Sequence, residues 1–482
     1  MKILLINPPR WNELVGKNPS IIEEHRGFNP PLGLLYLAAT LRERVPGVRV
    51  DVWDAQARRW TYEELEAELR DTDYDLVGIS AMTFTLVDSH RTARLVKKLH
   101  PGAKVVLGGT HVHLFPEETI GLDGVDFAFM GEAEFTFSDF VGRFARPDEC
   151  RNIGGLVFRD GEGRIVKSEP ALVKDLDRVP FPDRTLLDIR LYNSLLGRSA
   201  LNTTIVSSRG CPYRCAFCDR PLSPVTSHFR WRSAGNVADE LEACAALGIR
   251  DFLFYDDTLT VNRTRVLEIC EEILSRGLSI RWDIRTRVDT VDHEMLAVLK
   301  RAGCAAIHYG VEAGNDRMLK VIKKGFTVAK VLETFAATRK AGIETLAYFM
   351  IGLPTEEERD IQDSFDLARE LKPDYAHFTI FSPYPGTEFY ALALERGLFQ
   401  RDVWRDFARE PRPDFRIPVW EEHFTRDELY GMLVRFYKSF YMRPRYVLSR
   451  LRKLRSFDEF TKKARAGLSV VRMKKKDVDH LK

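Results

Sequence analysis

Cys211-Pro212-Tyr213-Arg214-Cys215-Ala216-Phe217-Cys218 sets three thiols within eight positions, spaced C-x3-C-x2-C, just after an apolar run that reads as a strand. Clustered thiolates hold zinc or iron–sulfur clusters. Structural zinc completes its tetrahedron with a fourth Cys or His. The other cysteines, Cys150, Cys244, Cys270 and Cys304, stand singly within apolar patterns and read as ordinary buried thiols. His228 lies ten residues past Cys218, so a zinc loop of three cysteines and one histidine is one alternative. The favoured reading is a four-iron cluster on three thiolates, one iron left open for an exogenous ligand. An open coordination position marks a catalytic centre, not a staple.

Downstream of the thiols, apolar runs alternate with helical periodicity. Strands are expected at Thr203–Ser207, Asp251–Tyr255, Ile280–Ile284, Ala305–Gly310, Leu346–Ile351 and Ala376–Phe381. Helices are expected between them near Ala234–Leu247, Arg263–Ser275, Glu294–Arg301, Val328–Ala341 and Glu356–Leu371. Thr355 with Glu358 reads as a capping box. Six strand–helix units are too few to close an eight-stranded barrel. They predict an open, partial (β/α)6 barrel over residues 201–396, with its reactive groups on the loops at the carboxyl ends of the strands.

Upstream, residues 1–150 repeat the alternation on a smaller scale. Strands are expected at Lys2–Asn7, Val48–Trp53, Leu76–Ser80, Lys104–Leu107 and Val125–Met130, with helices at Leu32–Glu43, Tyr62–Arg70 and Leu86–Leu99. Thr61 and Glu64 form a capping box for the second helix. Short links between such elements predict a doubly wound parallel sheet, whose ligands sit outside the strands' carboxyl ends. Those ends read Asn7-Pro8-Pro9, Asp54-Ala55-Gln56, Ser80-Ala81-Met82-Thr83, Gly108-Gly109-Thr110-His111 and Gly131-Glu132. Small and hydroxyl residues recur there, as close approach to a ligand requires. Residues 151–200 read as a connector: Gly155–Phe158 and Arg164–Lys167 flank Asp160-Gly161-Glu162-Gly163, a hairpin signal, and the proline- and acid-rich stretch that follows suits an extended linker.

The chain has 482 residues, enough for about three domains. It is 44% hydrophobic and 30% charged, which excludes wholesale disorder or a fibrous repeat. No run approaches the ~18 apolar residues of a membrane span, and MKILLINPPR lacks the pattern of a signal peptide, so a cytoplasmic protein with reduced thiols is expected. The formal charge of +3 hides an asymmetry. From Met442 to Lys482 there are 14 Lys/Arg against 4 Asp/Glu. Residues 397–482 read as a basic, mostly helical region suited to nucleic acid, anionic lipid or plain solvation.

The thiol loop at the mouth of a partial barrel resembles the radical S-adenosylmethionine (SAM) enzymes, over most of residues 200–395. In that family the open iron of a [4Fe–4S] cluster binds the amino and carboxylate groups of SAM, and an electron from the reduced cluster cleaves a carbon–sulfur bond to release a 5′-deoxyadenosyl radical. The resemblance makes Cys211, Cys215 and Cys218 the cluster ligands. It places Phe217, the aromatic residue before the third cysteine, near the adenine. Tyr255-Asp256-Asp257, Arg285 with Arg287, and Gly310-Val311-Glu312-Ala313-Gly314 end the second, third and fourth strands. Of these, Asp256, Arg285 and Glu312 are the expected SAM contacts. Met350-Ile351-Gly352-Leu353-Pro354 and Ser382-Pro383-Tyr384-Pro385-Gly386-Thr387 end the fifth and sixth strands. Asp256 could equally cap a helix, and Arg285 and Arg287 could pair with rim carboxylates.

The upstream strand ends are similar to the cobalamin-binding domain fused ahead of the barrel in cobalamin-dependent radical SAM enzymes. That implies cobalamin contacts at Asn7, Ser80, Thr83, Gly108, Gly109, Thr110, Gly131 and Glu132. The sequence departs from the D-x-H-x-x-G pattern, reading Asp54-Ala55-Gln56-Ala57-Arg58-Arg59, so the usual lower-ligand histidine is Gln56. His111 and His113 lie on another loop and read as packing or hydrogen-bonding groups.

The resemblance implies hydrogen abstraction by the deoxyadenosyl radical and delivery of a methyl group by cobalamin charged from a second SAM, so C-methylation of a lipid-like or other natural-product substrate is expected. Ring formation or rearrangement, as in the anaerobic porphyrin cyclase and hopanoid-type enzymes, uses the same motifs. A non-catalytic cobalamin or redox sensor is the remaining class. A reductase such as flavodoxin or ferredoxin is the expected electron donor. No recognised RNA-binding module accompanies the basic tail, so no nucleic acid is expected. The aromatic stretch Phe436–Tyr441, followed by Tyr446, Val447, Leu448, Leu451 and Leu454 among arginines, suits an interfacial helix on anionic lipid.

Overall fold

Alternation of side chains along a strand sorts the first half into three layers. The computed structural model describes residues 1–14, 28–144, 146–192, 201–223, 225–452 and 457–474. The linker residues 193–200, Leu454 and the tail beyond 474 lie outside the described residues. Strands β1 (Lys2–Asn7), β2 (Arg49–Asp54), β3 (Leu76–Ser80), β4 (Lys104–Gly108) and β5 (Phe127–Phe129) run parallel. Leu4 and Ile6 of β1 pack with Tyr62, Leu65 and Leu69 of helix α1 (Tyr62–Arg70) on one face. Ile3 and Leu5 turn to the other face, against Phe137 and Phe140 of helix α2 (Glu134–Gly142). The expected capping box on α1 is present, with Thr61 and Glu64 bonded reciprocally.

The hairpin expected within the connector belongs to this sheet. Strands β6 (Leu156–Arg159) and β7 (Ile165–Lys167) add antiparallel to β5, giving seven strands ordered β2-β1-β3-β4-β5-β6-β7. Three short helical turns then carry the chain from Leu176 to Leu191.

The second sheet has six parallel strands: β8 (Asn202–Ile205), β9 (Asp251–Phe254), β10 (Arg281–Thr286), β11 (Cys304–Glu312), β12 (Glu344–Ile351) and β13 (Tyr375–Ile380), each paired with its neighbour in sequence. β8 and β13 do not pair, so the barrel stays open. Ile284, Ile307, Tyr309, Phe349 and Phe378 face the surrounding helices in one apolar core. The alternate positions, Asp283, Arg285, His308, Tyr348 and His377, turn inward, so the barrel has a polar lining. Helix α3 (Glu358–Leu371) follows β12 with a different cap from the one expected. Glu357 and Asp360 form the capping box, because Thr355 adopts a left-handed backbone (φ 61°) in the preceding turn.

Side chains reach backbone groups at both open edges. At β8, Arg184 donates to the Thr204 carbonyl (2.9 Å) and to Thr203 Oγ1 (3.1 Å) while pairing with buried Glu240 at 2.7 Å. At β13, helix α4 (Arg426–Tyr441) lays two tyrosines along the strand. Tyr441 Oη donates to the Ala376 carbonyl (2.7 Å) and accepts the Ala376 N–H (3.1 Å). Tyr437 Oη donates to the Phe378 carbonyl (3.0 Å) and accepts its N–H (3.3 Å). Four helical residues rise about 6 Å and two strand residues about 6.6 Å, so an i, i+4 pair of tyrosines matches alternate edge residues. The stretch read as an interfacial segment is therefore an edge cover: Phe436, Tyr437 and Phe440 are buried, and Tyr446 Oη donates to the Asp374 carbonyl. Beyond it Val447, Leu448 and Leu451 are exposed, at 41%, 54% and 47%.

Tyr441→Phe leaves a buried N–H and carbonyl of Ala376 without their partner. We expect a loss of about 2 kcal/mol in urea unfolding, with faster hydrogen exchange at the Ala376 amide and little change at Phe378.

Candidate functional site

A two-residue ladder, Ser208–Arg209 against Arg230–Trp231, forms the stem from which the thiol loop springs. Gly210 turns the chain into the loop at φ 85°, and a Cβ there would strike the His228 carbonyl. The loop is pinned from outside by Cys211 N to Thr226 O (3.0 Å), Ala216 N to Ile322 O (3.1 Å) and Phe389 N to Ala216 O (3.2 Å). The Arg287 guanidinium lies 3.7 Å from Cys215 Sγ and is held there by Asp289. Burial raises the Cys211 thiol and pushes Cys218 up to about 12, so these thiols are protonated until a metal displaces the protons.

Among the described residues, no three Cys, His, Asp or Glu side chains gather tightly enough for a single ion. His228, the fourth ligand in the zinc alternative, is exposed, with Nδ1 3.3 Å from Ser227 Oγ. A cubane makes a different demand, since each thiolate takes its own corner iron. Three cysteines on one pinned loop, with a cation beside the middle one, fit it.

The loop opens onto the carboxyl ends of the barrel strands. Glu312 ends β11 in a left-handed conformation (φ 71°), costing about 1 kcal/mol and re-aiming its side chain. Its Oε1 accepts from Lys324 Nζ at 3.0 Å, both side chains being buried. Lys324 also lies 5.5 Å from the Phe217 ring. Phe217, Glu312 and Lys324 thus share one corner of the mouth. Nothing local marks Lys324, which resembles any surface lysine after a short helix.

Arg287 is paired with a rim carboxylate, Asp289, but Arg285 is not. Its guanidinium stacks 3.9 Å over the Tyr255 ring, and its Nε has no hydrogen-bond partner among the described residues. Next to it, burial and the Arg285 charge push His308 down to about 3, so this imidazole is neutral. Asp256 caps no helix: fully buried, it accepts from Ser207 N (2.8 Å), Ser207 Oγ (2.7 Å) and Ser208 Oγ, at the root of the thiol loop.

In the first sheet, the strand ends form their own network. Asn7 Nδ2 donates to Asp54 Oδ1 (2.9 Å), while Asn7 Oδ1 accepts from Ser80 Oγ (3.0 Å) and Gln56 Nε2 (3.2 Å). Gln56 is thus a hydrogen-bonding partner of Asn7. Buried Thr83 bonds His111 Nδ1 at 3.1 Å; burial pushes His111 down to about 3, and its Nε2 has no partner among the described residues. Gly109 turns at φ 126° against the Ala81 backbone, and a Cβ at Gly108 would meet nothing within 4 Å, which leaves an open floor beside Thr110. An open floor ringed by amide and hydroxyl groups fits a large polar cofactor. Gly131 and Glu132 differ from expectation: Gly131 bridges to Ala171, and Glu132 is committed to Arg230 and Arg209.

The two sets of strand ends face each other. His113 Nε2 lies 3.0 Å from Ser223 Oγ of the thiol loop, and Phe84 packs on Tyr384 at 5.1 Å. Leu86, Val87 and Phe115 share a core with Tyr390, Trp404 and Phe407.

Known proteins match this arrangement. The Radical SAM superfamily profile matches residues 205–368, and that of the B12 binding domain residues 20–141. An uncharacterized methyltransferase of Pyrococcus horikoshii is 32% identical over 454 residues, covering 93% of this chain and 94% of its own. The anaerobic magnesium-protoporphyrin IX monomethyl ester cyclase of Cereibacter sphaeroides is 28% identical over 432 residues, 87% of this chain and 68% of its own. Among solved structures, the radical SAM methyltransferase TsrM from Kitasatospora setae, with cobalamin and a [4Fe–4S] cluster bound, superposes with a TM-score of 0.66 at 20% identity, covering 82% of this chain and 75% of that one. The chain belongs to the radical SAM superfamily, in the cobalamin-dependent group that carries a B12-binding domain. Its cofactors are a [4Fe–4S] cluster, SAM and cobalamin.

Beside the mouth, the Glu356 carboxylate accepts the N–H groups of Gly352 (2.6 Å) and Leu353 (2.9 Å), and burial pushes its pKa up from 4.5 to about 8. Folding thus favours the protonated form. That contribution is whole below the ordinary value of 4.5 and is lost as pH rises through about 8. Glu356→Gln, neutral throughout, should therefore lose less thermal stability than the wild type between about pH 5 and pH 9. Parallel Tm curves for the two proteins would show that the carboxyl titrates normally.

Proposed function

We propose that this enzyme methylates an unactivated carbon of a lipid-like or other natural-product substrate held between the two facing mouths. The observation that carries this is the contact of His113 with Ser223 and of Phe84 with Tyr384, which turns the cobalamin-type strand ends toward the thiol loop. When bound, SAM and the reduced cluster supply a carbon-centred radical, and cobalamin supplies the methyl group. The chain's own work is positioning and exclusion.

Cys211, Cys215 and Cys218 would hold the cluster, with the Arg287 charge stabilising the Cys215 thiolate. Glu312, shared with Lys324, would take the SAM ammonium, and Arg285, lacking a carboxylate partner among the described residues, its carboxylate. Phe217 offers a flat face beside them. Asp256 acts indirectly, fixing Ser207 and Ser208 beneath the loop. Asn7, Ser80, Thr83, Gly108, Gly109 and Thr110 would line the cobalamin side. Glu132 and Gly131 are reassigned from cofactor contact to the junction between the halves.

The enzyme needs a small-molecule substrate and an electron donor, for which a flavodoxin or ferredoxin suits the cluster's low potential and a reducing cytoplasm. A second reading, ring formation, draws on the cyclase relative. No helix among the described residues is long and apolar enough to cross a membrane. Exposed Val447, Leu448 and Leu451 beside exposed Arg445 support peripheral contact with anionic lipid.

Anaerobically purified protein should contain four irons and one cobalt per chain, and Cys215→Ala should lose the iron together with 5′-deoxyadenosine formation. With SAM labelled in its methyl group and extracts of lipids and small molecules, a product carrying the intact labelled methyl is expected; a ring-closed product without label would replace methylation by cyclisation. In liposome flotation, Leu448→Glu/Leu451→Glu should abolish binding to anionic vesicles, and unchanged flotation would remove the membrane contact.

A further inference from the structure

Glu132 stands just past β5, the last parallel strand of the first sheet, yet its strongest partners belong to the stem of the thiol loop. Arg230 grips it with both terminal nitrogens, Nη1 to Oε2 at 2.7 Å and Nη2 to Oε1 at 2.8 Å. Arg209, opposite Arg230 in the ladder, reaches Glu132 Oε1 at 3.4 Å and Glu134 Oε1 at 2.6 Å. The Val173 N–H donates to Glu132 Oε2 at 2.6 Å, which fastens the intervening segment to the same point. Arg209 also lies over the Tyr36 ring at 5.6 Å.

None of the four side chains is more than 19% exposed. Although burial opposes ionisation, Arg230 and Arg209 hold the Glu132 carboxyl below its usual range. A bidentate guanidinium–carboxylate pair fixes a plane as well as a distance, which a single ammonium contact cannot do. Removing one partner strands a buried charge. Arg209 is separated from Cys211 by one residue, so the cluster ties the first sheet to the base of the thiol loop, which is itself pinned to the barrel.

We infer that Glu132, Glu134, Arg209 and Arg230 form an interdomain clamp that sets the distance and tilt between the cobalamin platform and the iron–sulfur loop. They are positioning residues, since each side chain is committed to another of the four. The clamp rests on the cofactor reading above. Its purpose follows from the chemistry: groups that exchange a methyl or a hydrogen atom must meet in a near-attack geometry, and a misplacement of about 1 Å can cost 100-fold.

The test compares the wild-type holoenzyme with Glu132→Gln, Arg230→Gln and the double variant, using dipolar electron paramagnetic resonance between cob(II)alamin and the reduced cluster. Each variant should retain its iron and cobalt, while the cluster–cobalt distance distribution broadens or shifts. S-adenosylhomocysteine formation, the mark of methyl transfer from SAM, should fall about 100-fold, while 5′-deoxyadenosine formation, which stays within the barrel, is unchanged. The double variant should be no worse than either single one, because both remove the same contact. Arg230→Lys, which keeps charge but not the fork, should resemble Arg230→Gln. An unaltered distance distribution overturns the clamp. So does loss of cobalamin in Glu132→Gln alone, which would make Glu132 a direct cobalamin contact, and so does loss of iron from either variant. Wild-type protein that binds no cobalamin would instead overturn the cofactor reading on which the clamp stands.

Discussion

A barrel of six strands has two unpaired edges, and satisfying them governs how the rest of the chain is laid out. A buried or half-buried strand edge with unmet N–H and carbonyl groups would invite pairing with another chain and would weaken the sheet. Here the β8 edge is met by Arg184 from the linker, whose charge is balanced by Glu240, itself fully buried. The β13 edge is met by the hydroxyls of Tyr437 and Tyr441. Each closure recruits a segment from outside the barrel, so the linker and the C-terminal helices are integral to a sheet whose strands they never join. The edges are covered by side chains and not by further strands, and the barrel's carboxyl end is left open to the first sheet.

The barrel's interior, from its amino end to that opening, is where charge is concentrated. The barrel's inward positions carry Asp283, Arg285, His308, Tyr348 and His377, against an outward face that is almost wholly apolar. Burial and the neighbouring Arg285 keep His308 neutral, while Lys324 compensates Glu312 and Arg287 faces Cys215. Each group at the mouth has a counter-charge or a stacking partner before any cofactor arrives. Arg285 alone among these arginines has no carboxylate partner in the described residues, which suits a group waiting for an anion.

Much of the strand and helix order was legible because period-two and period-3.6 apolar patterns are local properties. Tyr62–Arg70, Leu86–Leu99 and Arg263–Ser275 form helices over the ranges their periodicity predicts. Errors arose where a local signal competed with a distant contact. The Thr355–Glu358 capping box gave way to Glu357 and Asp360 because the turn after β12 is built around buried Glu356. Phe436–Tyr441 reads as a membrane-seeking aromatic run in isolation, and only the unpaired edge of β13 explains its tyrosines. The protein partners of Asp256 and Glu132 are not legible locally, since ion pairs and buried hydrogen bonds join residues dozens of positions apart.

The sequence by itself determined the three-thiol loop, the strand–helix rhythm of both halves and the identity of the groups at the strand ends, because spacing and side-chain chemistry are written in the chain. Tertiary structure alone decided which of those groups face one another. Asn7 and Ser80 turn out to be bonded together, Lys324 arrives from a distant turn to meet Glu312, and Glu132 reaches across to Arg230. The reason is physical: a polar side chain removed from water must find a partner wherever the fold brings one, and no local pattern specifies that meeting.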